Sequence, residues 1–232
     1  MSTFLQLVQR LRRESGRSGS GVSPTSLIGA ANDDLRLADW INDAWIELQT
    51  GPDRWKWQRQ TAVGTTLATG QLQYAPASFG ATNLYKMKYD NGDYRVTAFD
   101  PAAPATEWPL VYLPYDQFRQ IFIAGGTITP GLPNYWSYTP ADQILIGPKT
   151  PIAYSVRYDY YTGPVAMTLD ADVPLQPSQF HIGLVWRALM EAGVFDGAGE
   201  VYTRAENNYK KVMHEMERDQ REELNFTMGS LA

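Results

Sequence analysis

The sequence predicts an α+β fold: a helical bundle built from the N- and C-terminal helices, with a β-rich insertion between them. Two observations predict it. Apolar residues recur at spacings of three and four near both ends of the chain, as in helices with one buried face. From about Trp57 to Asp172, prolines and glycines instead punctuate short runs that alternate at period two. A third observation sets the scale: 44% hydrophobic and 12% aromatic residues in a 232-residue chain are enough for a sizeable core. The expected domains are residues 1–56 and 173–223 for the two halves of the bundle, 57–172 for the insertion, and 224–232 for a flexible C-terminal tail.

The first helix begins at a capping box, Thr3 with Gln6. Phe4, Leu7, Val8 and Leu11 share one face, and Arg10, Arg12 and Arg13 end the helix where cations suit its dipole. The run SGRSGSG, Ser15 to Gly21, stops it and offers a hinge. A second helix opens near Asn32–Asp34, buries Leu37, Ile41, Ala44, Trp45 and Leu48, and stops at Thr50-Gly51-Pro52.

In the middle, TAVGTTLATGQLQYAP reads as two strands around Thr69-Gly70, and LYKMKYDNGDYRVTAF as a hairpin turning at Asn91-Gly92. LPYDQFRQIF, Leu113 to Phe122, reads as a short helix entered after Pro114. QILIGP and AYSVRYDYYTGP read as a further strand pair, with Tyr154, Val156, Tyr158 and Tyr160 on one face. The whole suggests a small twisted sheet or a partly closed barrel. Helix returns at Ser178–Ala192, with a stripe of Phe180, Leu184, Val185, Ala188 and Leu189. The last helix runs from about Ala198 to Glu223 with a narrow seam of Tyr202, Ala205, Tyr209, Val212 and Met216. Glu206 with Lys210, and Glu217 with Arg221, are supporting i,i+4 pairs.

Composition excludes several classes of function. With no cysteine there is no disulfide, thiol catalysis or cysteine-held metal. The net charge of −5, spread without a basic block, gives no footprint for tight nucleic-acid binding. No apolar run is long enough to span a membrane, and MSTFLQLVQRLRRES lacks the apolar core of a signal peptide.

The candidate chemistry is sparse. His181 has no ligand or acid partner at helical spacing, since Glu191 is too far along the helix, and it reads as a boundary residue whose ring packs and whose nitrogen caps a neighbouring group. His214 reads as solvated. The carboxylates of Asp170 and Asp172, or of Asp90 and Asp93, sit in turn contexts that favour local hydrogen bonding. SGRSGSG lacks the Lys-Ser/Thr of a phosphate loop, AGGTITPG is not followed by a helix, and no G-x-S-x-G elbow occurs. WKW, Trp55 to Trp57, and NYWSYTP, Asn134 to Pro140, are aromatic clusters suited to packing or, alternatively, to stacking sugars. No catalytic, cofactor-binding or metal-binding residue is assigned, and the chain reads as a non-enzyme.

The order of these elements resembles the head-to-tail adaptor (connector) proteins of tailed bacteriophages. The resemblance is carried by TFLQLVQRLRRESG, DLRLADWINDAWIELQ, DRWKWQR, TTLATGQLQYAP, LPYDQFRQIF, GLPNYWSYTPADQILIGPKTPIAYSVRYDYYTGP and LDADVPLQPSQFHIGLVWRALMEAG. It implies a structural virion protein at the head–tail junction, assembled in the host cytoplasm. It further implies a homo-oligomeric ring, typically of twelve subunits, that joins the portal protein to a downstream tail protein and extends the DNA channel. Genomic DNA would pass through such a ring without specific binding. By the same resemblance the C-terminal segment grips the portal, with Leu224, Phe226 and Met228 as its anchors. The alternatives are another virion component, such as a tail gatekeeper or a carbohydrate-binding tail module, or a hydrolase using Asp170 or Asp172.

Overall fold

The computed structural model describes residues 1–17, 23–51, 55–90, 93–94, 96–125 and 129–220. The chain divides into two compact units, Met1–Gln58 together with the chain from Pro164 onward, and Arg59–Gly163. The fold is α+β, with helices at both ends of the chain flanking a β-rich middle. Its α-helices among the described residues are α1 (Phe4–Glu14), α2 (Asn32–Thr50), α3 (Tyr115–Phe122), α4 (His181–Phe195) and α5 (Gly199–Gln220).

The helical unit is α1, α2, α4 and α5, packed pairwise. Its core is the sum of the stripes legible in the sequence: Leu7, Val8 and Leu11 from α1, Leu37, Ile41 and Trp45 from α2, and Leu184, Val185 and Leu189 from α4, all buried. Each such side chain contributes about 1.5–3 kcal/mol by leaving water. α5 contributes less. Ala205 and Met216 are fully buried, whereas Tyr202, Tyr209 and Val212 of its seam are half-buried. The capping box of α1 forms as expected: Thr3 Oγ1 accepts from the Gln6 N–H at 3.3 Å and Gln6 Oε1 from the Thr3 N–H at 3.1 Å. α2 differs from expectation. Its N-cap is Ala31, which makes no side-chain cap bond, and the acids Asp33 and Asp34 occupy its first turn. Asp34 there holds the buried Arg12 guanidinium at 2.5 Å.

The segment entering α4 is tied down by amide side chains of α2. Asn42 donates to the Met167 C=O at 2.8 Å and accepts from its N–H at 2.9 Å. Two turns further on, Gln49 does the same for Val165, at 3.1 and 3.0 Å. Two side-chain amides thus stand in for a strand partner and satisfy backbone that would otherwise go unpaired.

The β unit holds β1 (Arg59–Thr66), β2 (Gln73–Tyr74), β3 (Leu84–Met87), β4 (Tyr89–Asp90), β5 (Asp93–Tyr94), β6 (Val96–Asp100), β7 (Ala103–Pro109), β8 (Val111–Tyr112), β9 (Tyr135–Tyr138), β10 (Ile144–Gly147) and β11 (Ser155–Thr162). One sheet has the order β1-β11-β6-β7, with β3 also paired to β11, and the other has the order β2-β10-β9-β8. They enclose a core of Ala62, Phe79, Val96, Trp136, Ile144, Ile146, Val156, Tyr158 and Tyr160. The outer face of the second sheet is covered by α3, whose Phe118 and Phe122 pack on Leu145.

Two expected strand pairings do not form. β1 pairs with β11 and β2 with β10, so TAVGTTLATGQLQYAP bridges the two sheets and makes no hairpin. β10 pairs with β9 and β2 and never with β11. The reason lies in β10, buried at all four positions: Ile144 and Ile146 face the inter-sheet core while Leu145 faces α3. A strand apolar on both faces belongs between layers, whereas β11 shows the alternation of a sheet with one wet face. β4 and β5 do pair, Tyr89 with Tyr94, on either side of Asn91-Gly92, which lie outside the described residues.

Candidate functional site

His181 opens α4 and is buried. Its Nδ1 accepts from the Ser2 N–H at 3.1 Å, which leaves Nε2 to donate to the Gln176 C=O at 3.0 Å. Burial holds its pKa below the ordinary imidazole value. The neutral ring therefore ties the start of the chain to the start of α4, and both nitrogens are occupied. His214 is exposed on α5.

Asp170 and Asp172 are equally engaged. Asp170 accepts the Leu27 N–H at 2.7 Å, and Asp172 accepts the Thr168 and Leu169 N–H groups at 2.6 and 2.8 Å. Those N–H bonds, with Leu169 first, pull the Asp172 carboxyl below its usual value. The backbone carbonyls of the same two residues accept the Phe4 and Leu5 N–H groups, at 2.7 Å from Asp172 and 3.2 Å from Asp170, closing the first turn of α1. The pair acts as an anchor for α1 and for the segment 168–172. Among the described residues no group of three or more His, Cys, Asp or Glu could hold a metal ion.

The aromatic clusters divide between core and surface. Trp55 is buried and donates its indole N–H to the Leu48 C=O at 3.0 Å, and Trp57 stacks on Trp45 at 5.2 Å between ring centres. Trp136 is fully buried, so it cannot stack a sugar. Its neighbours Tyr135 and Tyr138 are exposed, and Tyr138 stacks on Tyr112 at 5.9 Å. Burial first, then the hydrogen bond and charge of Tyr138, push the Tyr112 hydroxyl up to about 12. A shallow cleft of about 170 Å³ lies beside Tyr138, lined by Leu84, Tyr85, Met87, Asp142 and Ile144.

One surface cluster escaped sequence reading. Phe195, 58% exposed at the end of α4, meets Trp40 at 5.8 Å, and the Arg36 guanidinium lies 4.2 Å over its ring. Arg17 stands 5.6 Å over Trp40 and grips Asp196 through both carboxylate oxygens at 2.7 and 2.8 Å. Val194, 65% exposed, extends the patch. Trp and Arg are residue types enriched where proteins bind one another. The only sequence signal was an apolar pair, Val194-Phe195, lying beyond the buried stripe of its helix. The sequence-named anchors Leu224, Phe226 and Met228 lie outside the described residues.

The histidine, the paired carboxylates and the buried tryptophans serve the chain's own architecture, while apolar groups surface in ordered patches. The chain belongs to the SU10 adaptor protein family, whose model matches residues 2–231. That family is one of phage structural adaptors, which are virion components. No curated protein matches the chain. No described helix is long and apolar enough to cross a membrane.

Proposed function

We propose that the protein forms a ring, of twelve copies by family resemblance, that joins the portal at the capsid vertex to the tail and extends the DNA channel. The observation that carries this reading is the family match over nearly the whole chain, residues 2–231, which covers both units. The ordered surface patch of Trp40, Arg36 and Phe195 supports it as a contact surface. A net charge of −5 suits a conduit, because tight phosphate contacts would stall the passing DNA. The partners are then further copies of the chain, the portal protein and the next tail protein. Leu224, Phe226 and Met228 supply the apolar grip on the portal.

The test is electron microscopy of the purified protein mixed with portal rings. Two-tiered particles are expected. Removing residues 224–232 should abolish the second tier while leaving free rings intact. A truncated chain that stacks as well as the full one removes the portal role of the tail. A full chain that never stacks on portal rings removes the joint itself.

A further inference from the structure

Charge in α1, α2 and α4 is largely neutralised within the chain. Arg12 pairs with Asp34, Arg36 with Asp33, Arg187 with both Glu47 and Glu191, and Arg204 with Glu14. The charged side chains of these helices that form no ion pair among the described residues are Arg10 and Arg13 on α1, and Asp39 and Asp43 on α2. Both charges left over on α1 are cations, and both on α2 are anions.

Each pair lies on an outward helix face. Arg10 and Arg13 are exposed and one turn apart, on the side of α1 opposite its buried stripe of Phe4, Leu7, Val8 and Leu11. Asp39 and Asp43 are exposed and one turn apart, on the side of α2 opposite Leu37, Ile41, Ala44 and Leu48. Leu35, 48% exposed, stands one turn before Asp39, and half-buried Ile46 follows Asp43 by three residues. A helix laid on that face would therefore cover apolar surface as well as meet the acids. Both stripes turn to one core, so the two charged faces look away from it and cannot meet within one copy. Between copies they can. The spacings match, because side chains three or four residues apart on a helix stand about 5–6 Å from each other between Cβ atoms.

We infer that copies of this chain join head to tail through these helices, the Arg10–Arg13 face of α1 in one copy against the Asp39–Asp43 face of α2 in the next. The inference rests on the ring reading and names a contact within it. A contact between two different faces is heterologous, the kind that closes into a ring. Exposed ion pairs each contribute little to stability. Their part here is to choose the partner face, because like charges set against each other repel. α1 on α1 would set cation against cation, and α2 on α2 anion against anion. Only α1 on α2 brings the two signs together.

Charge reversal in the full-length chain tests the joint. Arg10→Glu/Arg13→Glu makes both faces acidic, and Asp39→Lys/Asp43→Lys makes both cationic. All the altered positions are exposed, so each variant should melt close to the wild type. Each alone should need about tenfold more protein to assemble, read by ultracentrifugation, through like charge at the joint. An equal mixture of the two should regain wild-type assembly, because the acidic α1 face of one variant then meets the cationic α2 face of the other and the two alternate along the assembly. A variant that assembles alone as readily as the wild type overturns the inference. Variants that fail alone and also fail when mixed overturn it too, because the charges then serve another contact. Wild-type rings in micrographs leave the ring standing in both cases. Folded wild-type protein that forms no ring overturns the ring and the joint together.

Discussion

His181 shows how one residue can look functional and be architectural. Its imidazole is neutral in the fold because burial disfavours the cation, and the Met1 amino group nearby adds to the effect. The folded-state pKa therefore lies below the unfolded value of about 6.5. Stability from this residue is fully present above about pH 6.5 and is lost as pH falls through the folded pKa, where the unfolded chain binds a proton that the fold resists. Melting curves at pH 7.5 and 5.5 should show that loss, and His181→Ala should remove much of it. At pH 7.5 the same variant should cost about 1–3 kcal/mol, as expected when a buried hydrogen-bond partner is left unpaired. His214→Ala, at an exposed site, is the control and should change neither. The amides of α2 make a similar case. Gln49 is 3% exposed and bonds both backbone groups of Val165. Gln49→Ala should cost about 1–3 kcal/mol in denaturant unfolding, and a variant as stable as the wild type would mean that water replaces the amide.

At the scale of elements, the helices were legible and the strand partners were not. A helix is specified within its own window, so the capping box at Thr3, the stripe of α4 and the entry of α3 after Pro114 all stand in the structure where the sequence puts them. Sheet pairing is not local. QILIGP and AYSVRYDYYTGP lie close in sequence yet belong to different sheets, because β10 is apolar on both faces and must lie between the inter-sheet core and α3. Helix contacts also hold a detail that only geometry reveals. Gly193 lies in α4, and a Cβ there would stand 2.9 Å from the Tyr202 backbone N and 3.1 Å from its Cα. Backbone cannot yield as a side chain can, so α4 and α5 would have to separate. Gly193→Ala should cost about 1–3 kcal/mol by overpacking, despite the helix propensity gained by losing a glycine. Gly199→Ala, at the start of α5 with open space around its Cβ, should be near neutral in the same denaturation assay. Equal effects at the two positions would refute the close-approach argument.

For the whole molecule, the sequence required that an insertion splitting a helical bundle begin and end close together. The structure meets that condition through strand pairing. The chain enters the β unit at Arg59 and leaves it just after Tyr161 and Thr162, and Arg59 pairs directly with Tyr161. Such partners sit about 4.5–5.5 Å apart between Cα atoms, so a very short bridge can replace everything between them. Each unit also has its own buried core, Leu7 to Met216 in one and Ala62 to Tyr160 in the other. The candidate site was less legible than this division, because a surface patch such as Trp40 with Phe195 joins residues far apart in sequence and follows no period. Separate cores predict separable folding. Residues 59–163 expressed alone should give a dispersed amide NMR spectrum and a cooperative melt. The chain with residues 59–163 replaced by a short Gly-Ser bridge should keep the far-UV circular dichroism of a helical bundle and its own cooperative transition. If either piece is molten while the intact chain melts in one step, its core is completed by the other unit, and the chain is a single cooperative body.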